Sequence, residues 1–79
     1  MKLKYIMTLY SPIIFNECLL HCDIAEGVQN VESAGFVKIS WNPTTGFECQ
    51  TYGESASLQL MPSDKDAERI ERFLNNQSI

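Results

Sequence analysis

The side chains in this sequence that ligate metals or act as nucleophiles fall at Cys18, His21, Cys22 and Cys49. Together they hold the donor types of a Cys3His zinc site, in which the donors must converge on one tetrahedral point. Their spacing opposes this. On an extended segment alternate side chains face opposite ways, so His21 points away from Cys18 and Cys22. Cys49 has a place in the core instead. The same geometry opposes a Cys/His nucleophile pair, and no third group is spaced to orient the imidazole. With one histidine the chain has no Ser/His/Asp set or His-rich motif, and it has no phosphate-binding glycine loop. Glu48 lies on a strand face and Glu54 in a turn, and nothing holds a second carboxylate at a working distance from either. Each cysteine therefore reads as a small buried hydrophobe. The expectation is a protein without catalytic residues, metal or cofactor.

The elements that position these residues are clearest over residues 36–61. Lys38 and Ser40 alternate with Val37, Ile39 and Trp41, the period-two pattern of a half-buried strand. Residues 42–46 come next as a hairpin loop, Pro43 presetting φ at its first corner and Gly46 supplying the left-handed position. This loop pairs Trp41 with Phe47, Ile39 with Cys49 and Val37 with Thr51. A second turn at Gly53 and Glu54 predicts a further strand, with Tyr52 opposite Ser55, Thr51 opposite Ala56, Cys49 opposite Leu58 and Phe47 opposite Leu60.

Upstream, residues 2–10 alternate Leu3, Tyr5, Met7 and Leu9 against Lys2, Lys4, Ile6, Thr8 and Tyr10, and read as the first strand. Ser11 and Pro12 break it. Residues 15–22 alternate Cys18, Leu20 and Cys22 against Phe15, Glu17, Leu19 and His21, and read as a second strand. A competing helix start, Ser11 as N-cap with Pro12 next, yields to the capping-box pattern from Asp23 to Glu26. That pattern opens a helix with Ile24, Val28 and Val31 on one face and Gly35 as its end. Gly27 inside it costs about 1 kcal/mol relative to alanine. After Pro62, Ser63 caps a last helix running to about Leu74, with Asp64 and Asp66 in its first turn. Its apolar stripe is Ala67, Ile70, Phe73 and Leu74. Lys65, Glu68, Arg69, Glu71 and Arg72 face water, with Glu68 and Arg72 spaced for a weak ion pair. Residues 75–79 read as a frayed end.

These elements assemble as one α+β domain over residues 1–79, a two-layer sandwich of about five mostly antiparallel strands in the order ββαβββα, with both helices on one sheet face. From Ile24 onward the succession of helix, three strands and helix resembles the topology of double-stranded-RNA-binding domains, over about two-thirds of the chain. That family meets phosphates with a lysine-rich cluster at the start of its last helix. The corresponding residues 63–68 are mostly acidic, with Lys65 the only cation, so no RNA-binding role is carried over.

Composition narrows the partners further. A chain of 79 residues buries only about 60 to 65% of its unfolded surface, so size alone favours modest stability or self-association. Apolar residues are 44% and charged residues 20%, ordinary globular values. The net charge of −4 and pI near 4.7 leave no basic field for phosphates, which argues against nucleic acid. An odd cysteine count fits a reducing cytoplasm better than a disulfide framework. Met1, Lys2, Leu3 and Lys4 mimic a signal n-region, but Thr8, Tyr10, Ser11 and Pro12 interrupt the apolar run behind it, and no small-residue cleavage site appears. No apolar stretch reaches the roughly 20 residues that span a bilayer, so no membrane partner is expected.

The alternation also defines a partner surface. If Leu3, Cys18, Leu20, Val37, Ile39 and Leu58 face the helices, then Ile6, Tyr10, Phe15, Leu19 and Tyr52 lie on the opposite sheet face, with Glu48 beside them. An apolar face left wet marks an interaction surface. The sequence thus points to a non-enzymatic, acidic protein-binding or inhibitory module of the kind encoded by bacterial or phage mobile elements, with another protein as partner. The alternatives are a self-associating structural domain that covers the face with its own copy, and a small Cys/His metal-binding protein.

Overall fold

In the computed structural model, which describes residues 2–76, the chain runs β1 (Lys2–Thr8), β2 (Pro12–Asn16), α1 (His21–Ala25), β3 (Val31–Asn42), β4 (Gly46–Tyr52) and α2 (Asp66–Asn75). The strands form one antiparallel sheet in the order β2-β1-β3-β4. The fold is α+β, as the residue pattern implies, with four strands in the sheet rather than five. The hairpin register of β3 and β4 is the expected one: Trp41 faces Phe47, Ile39 faces Cys49 and Val37 faces Thr51. Its loop depends on Gly46, at φ +89°, whose missing Cβ leaves room for the Asn75 side-chain amide.

The fifth strand is absent because serine side chains satisfy the backbone locally. Ser55 and Leu60 exchange backbone hydrogen bonds at 2.7 and 3.2 Å, and the Ser55 hydroxyl also accepts from the Leu58 amide. Gln59 takes a left-handed φ of 56°. Segment 55–60 therefore folds back on itself instead of extending along β4. The expected pairings of Leu58 with Cys49, Leu60 with Phe47 and Ala56 with Thr51 do not form. With only β3 and β4 between the helices, the resemblance to the RNA-binding topology ends here.

Two other boundaries move for similar reasons. Asn16 closes β2 early: its side-chain oxygen accepts from the Cys18 amide at 2.9 Å and its carbonyl from the Leu19 amide at 3.1 Å, a local turn that ends the alternation. Cys18 and Leu20 are consequently exposed rather than helix-facing. The expected helix from Asp23 to Gly35 shrinks to α1, whose N-cap is Leu20 with no side-chain cap. Gly27, at φ +80°, ends it. Residues Val31 onward then form a 12-residue strand. Gly35 lies in mid-strand, where an added Cβ would meet Pro62 Cγ at 2.7 Å.

The helices lie on opposite faces of the sheet, not on one. α2 closes the face formed by Leu3, Tyr5, Met7, Ile14, Val37, Ile39 and Cys49, with Ile70 at the centre of the contact and Leu74 beside it. The other face also carries apolar side chains, so it needs a cover of its own. α1 supplies it through His21, whose ring meets Phe15 and Phe36 edge-on at centroid distances of 5.4 and 5.9 Å. His21 Nε2 donates to the Gly35 carbonyl at 2.8 Å. Ile6, expected to be wet, is fully buried in this layer.

α2 begins where Asp66 docks. Ser63 does not act as the N-cap; Lys65 occupies that position without a side-chain bond. Instead the buried Asp66 Oδ2 accepts from the Tyr5 hydroxyl at 2.7 Å, the Ser33 hydroxyl at 2.6 Å and the Ser63 amide at 2.9 Å. The apolar stripe matches the pattern, and Glu68 and Arg72 pair at 2.7 Å. Asn75 belongs to the helix rather than to a frayed end, while residues 77–79 of that expected end lie outside the described residues.

Asp66→Ala should cost roughly 3 to 5 kcal/mol in urea unfolding, because it orphans buried donors. Asp66→Asn, which keeps an acceptor oxygen but not the charge, should cost less. Burial, reinforced by the Asp66 carboxylate, holds the Tyr5 phenol well above the ordinary tyrosine value. The folded state then keeps its proton where the unfolded chain releases it, so stability is full below about pH 10 and falls as pH rises further. Tyr5→Phe should flatten this alkaline decline.

Candidate functional site

A sheet that ends in solvent has two edges, and the two edges here are treated differently. Along β4, α2 takes up outward backbone groups at Phe47 and Cys49. The Asn75 side chain accepts from the Phe47 amide at 2.9 Å and donates to the Phe47 carbonyl at 3.2 Å, standing in for a further strand. One turn earlier the Glu71 carboxylate accepts from the Cys49 amide at 3.1 Å. Glu71, expected on the water side of the helix, instead seals an edge.

The β2 edge has no such cover among the described residues. Its segment Pro12–Asn16 carries no charge and holds Ile13, Ile14 and Phe15, all half-buried. Apolar side chains sit exposed at both ends. Leu9 (54%) and Tyr10 (87%) lie in the turn before β2, and Leu19 (45%) and Leu20 (53%) lie in the loop after it. The turn is held by side-chain hydrogen bonds: the Thr8 hydroxyl donates to the Ser11 carbonyl at 2.8 Å and accepts from the Tyr10 and Ser11 amides. Lys4 Nζ fixes the loop by donating to the Leu19 carbonyl at 2.7 Å. Beside Tyr10 a cleft of about 270 Å³, lined by Ser11, Pro12, Arg69, Arg72 and Phe73, opens between the turn and α2. Arg69 is anchored there by Glu32 and the Thr8 carbonyl, at 2.8 and 2.9 Å.

The residues expected to form one surface are divided by this architecture. Tyr10, Phe15 and Leu19 belong to the β2 side, with Phe15 partly covered by His21. Ile6 is beneath them in the core. Tyr52 and Glu48 are exposed on β4, across the sheet. Tyr52 joins the β2 side only through a row of rings, stacking on Phe36 at 5.6 Å, with Phe36 in turn against His21. Leu9 and Leu20 escape a sequence reading because period-two counting places both on a covered face. Trp41 also counts onto the buried face, yet it is 63% exposed, because the β3–β4 hairpin projects past the last β1 pair, Lys2 with Lys38.

The metal-type side chains are not gathered. Cys18 is exposed in the loop with its thiol on Asn16 Oδ1, His21 is buried against Gly35, and Cys49 lies under α2 on the opposite face. Among the described residues no group of three or more His, Cys, Asp or Glu side chains is placed to hold a metal ion. Burial, and then the Glu71 carboxylate, push the Cys49 thiol up to about 11, the opposite of what a nucleophile requires. No helix among the described residues is long and apolar enough to cross a membrane. Comparison of the chain with protein-family models, with curated proteins and with solved structures finds no match.

Iodoacetamide at pH 8 should label Cys18 and leave Cys49 unmodified until the protein is unfolded, as read by peptide mass spectrometry. Asn75→Ala should speed hydrogen exchange at the Phe47 amide by roughly five- to tenfold, the equivalent of one hydrogen bond of about 1 kcal/mol.

Proposed function

We propose that this protein is a non-enzymatic protein-binding module whose working surface is the β2 edge with its flanking side chains, Leu9 and Tyr10 at one end and Leu19 and Leu20 at the other. The observation that carries this reading is the asymmetry of the edges. Side chains of α2 occupy the outward groups of β4 at Phe47 and Cys49, while β2 offers uncharged, apolar strand to solvent. An exposed edge supplies backbone donors and acceptors that bind an added strand, and neighbouring apolar side chains supply the area that makes such binding selective. The exposed tyrosine is of a type enriched at interface hot spots, and the leucines add apolar area around it, with charged groups at the rim. A protein partner fits the acidic character of the chain better than nucleic acid, and an inhibitory role would result where the bound strand belongs to a working surface of the partner.

The test uses Ile14→Pro, which removes an amide from the outer edge, and Trp41→Ser, which removes an exposed aromatic elsewhere. Affinity capture from the native host should retain a partner on wild type and on Trp41→Ser, and lose it by at least tenfold on Ile14→Pro. Equal retention by all three baits would reject the β2 edge as the working surface.

A further inference from the structure

We infer that the strand accepted by this edge is β2 of a second copy of the same chain, paired antiparallel about a two-fold axis at Ile14. The inference rests on the reading of β2 as the working edge and adds the identity of its occupant. It begins with which backbone groups point outward. The Thr8 amide donates to the Ser11 carbonyl at 3.1 Å, and Thr8 and Ser11 continue the register in which Ile6 faces Ile13 and Tyr5 faces Ile14. Bonded and non-bonded pairs alternate along an antiparallel ladder. Ile13 and Phe15 therefore bond to β1, and Pro12, Ile14 and Asn16 turn their backbone groups out.

A two-fold axis at Ile14 matches these groups to their own copies. The Ile14 amide of each chain donates to the Ile14 carbonyl of the other, and each Asn16 amide donates to the other Pro12 carbonyl. The pair that a longer ladder would add next is an amide at position 12 donating to the carbonyl of position 16. Proline has no such amide, and the Asn16 carbonyl already accepts from Leu19 at 3.1 Å. The pairing thus closes with no outward group left over, which a general peptide would not guarantee.

The side chains agree with the same axis. Ile14 meets Ile14 on the α2 face, and Ile13 meets Phe15 on the α1 face. Because the strands run antiparallel, the axis sets the Leu9–Tyr10 turn of one copy at the same end as the Leu19–Leu20 loop of the other, so the exposed apolar residues around β2 come side by side. Glu17, exposed in that loop, arrives opposite Ser11 at the rim of the cleft that carries Arg69 and Arg72. The result is a continuous sheet across the dimer, with each β4 edge, capped by α2 at Phe47 and Cys49, at the outside.

Sedimentation equilibrium tests this on the full chain from about 1 µM to 1 mM, a range suited to a short-strand interface of modest area. The mass should rise from 9.0 kDa toward twice that value. Tyr10→Asp with Leu19→Asp, both at exposed positions outside the strand, should move the midpoint at least tenfold higher, and Ile14→Pro should leave a monomer with an unchanged circular dichroism spectrum. In wild type, hydrogen exchange at the Ile14 amide should slow with concentration, a readout that needs no variant. A wild-type monomer at 1 mM overturns the second-copy inference. If that monomer still loses a host protein on Ile14→Pro, the working edge stands with a different occupant. A dimer insensitive to the Asp variants, with Ile14 exchange independent of concentration, overturns this pairing.

Discussion

One oxygen joins the parts of this protein. Asp66 Oδ2 gathers the hydroxyl of Tyr5 from β1, the hydroxyl of Ser33 from β3 and the amide of Ser63 from the loop that leads into α2. A carboxylate this deeply buried is tolerable only when its lone pairs are used, and each of these donors comes from a separate stretch of chain. The arrangement therefore works as a register pin. It sets where α2 begins, which sheet face it crosses and how far along the sheet its later residues reach. Ile70 then falls over Val37 and Cys49, and Glu71 and Asn75 fall beside the β4 edge. The apolar contacts supply most of the driving force, but a helix with one greasy stripe could slide by a turn without the carboxylate to stop it.

From that placement comes the difference between the two edges. α2 lies toward β4 and commits two polar side chains to its backbone, so that edge is closed by the same helix that closes the core. The opposite face receives only the short α1, and its cover is an aromatic cluster, Phe15, His21 and Phe36, with the Lys4 ammonium 5.7 Å from the Phe36 ring centre. Among the described residues no side chain takes up the outward backbone of β2 as Glu71 and Asn75 do for β4.

Much of the fold is legible in the residues. The β3–β4 hairpin is readable to the residue, because alternation and the loop from Asn42 to Gly46 specify the same register independently. The amphipathic stripe of α2 is equally plain. What misleads is the region in which polar side chains bond to nearby backbone. Asn16 stops β2, and Ser55 turns segment 55–60 back on itself, though a period-two count runs straight through both. Gly27 and Gly35 reverse their expected roles: the first ends a helix, and the second lets Pro62 approach a strand. The candidate surface suffers most: α1 on the second face buries Ile6, while the turns that end β1 and β2 expose Leu9 and Leu20.

By itself the sequence determines the class of fold, the hairpin, the last helix and the acidic character, because each of these depends on composition or on residues near one another in the chain. Tertiary structure alone decides that the helices take opposite faces, that Glu71 and Asn75 bond to a strand edge and that no described residue does the same for β2. Those outcomes turn on which distant segments compete for the same sheet, and the competition is settled by a buried carboxylate whose partners lie 33 and 61 residues away. No local periodicity records a contact at that range.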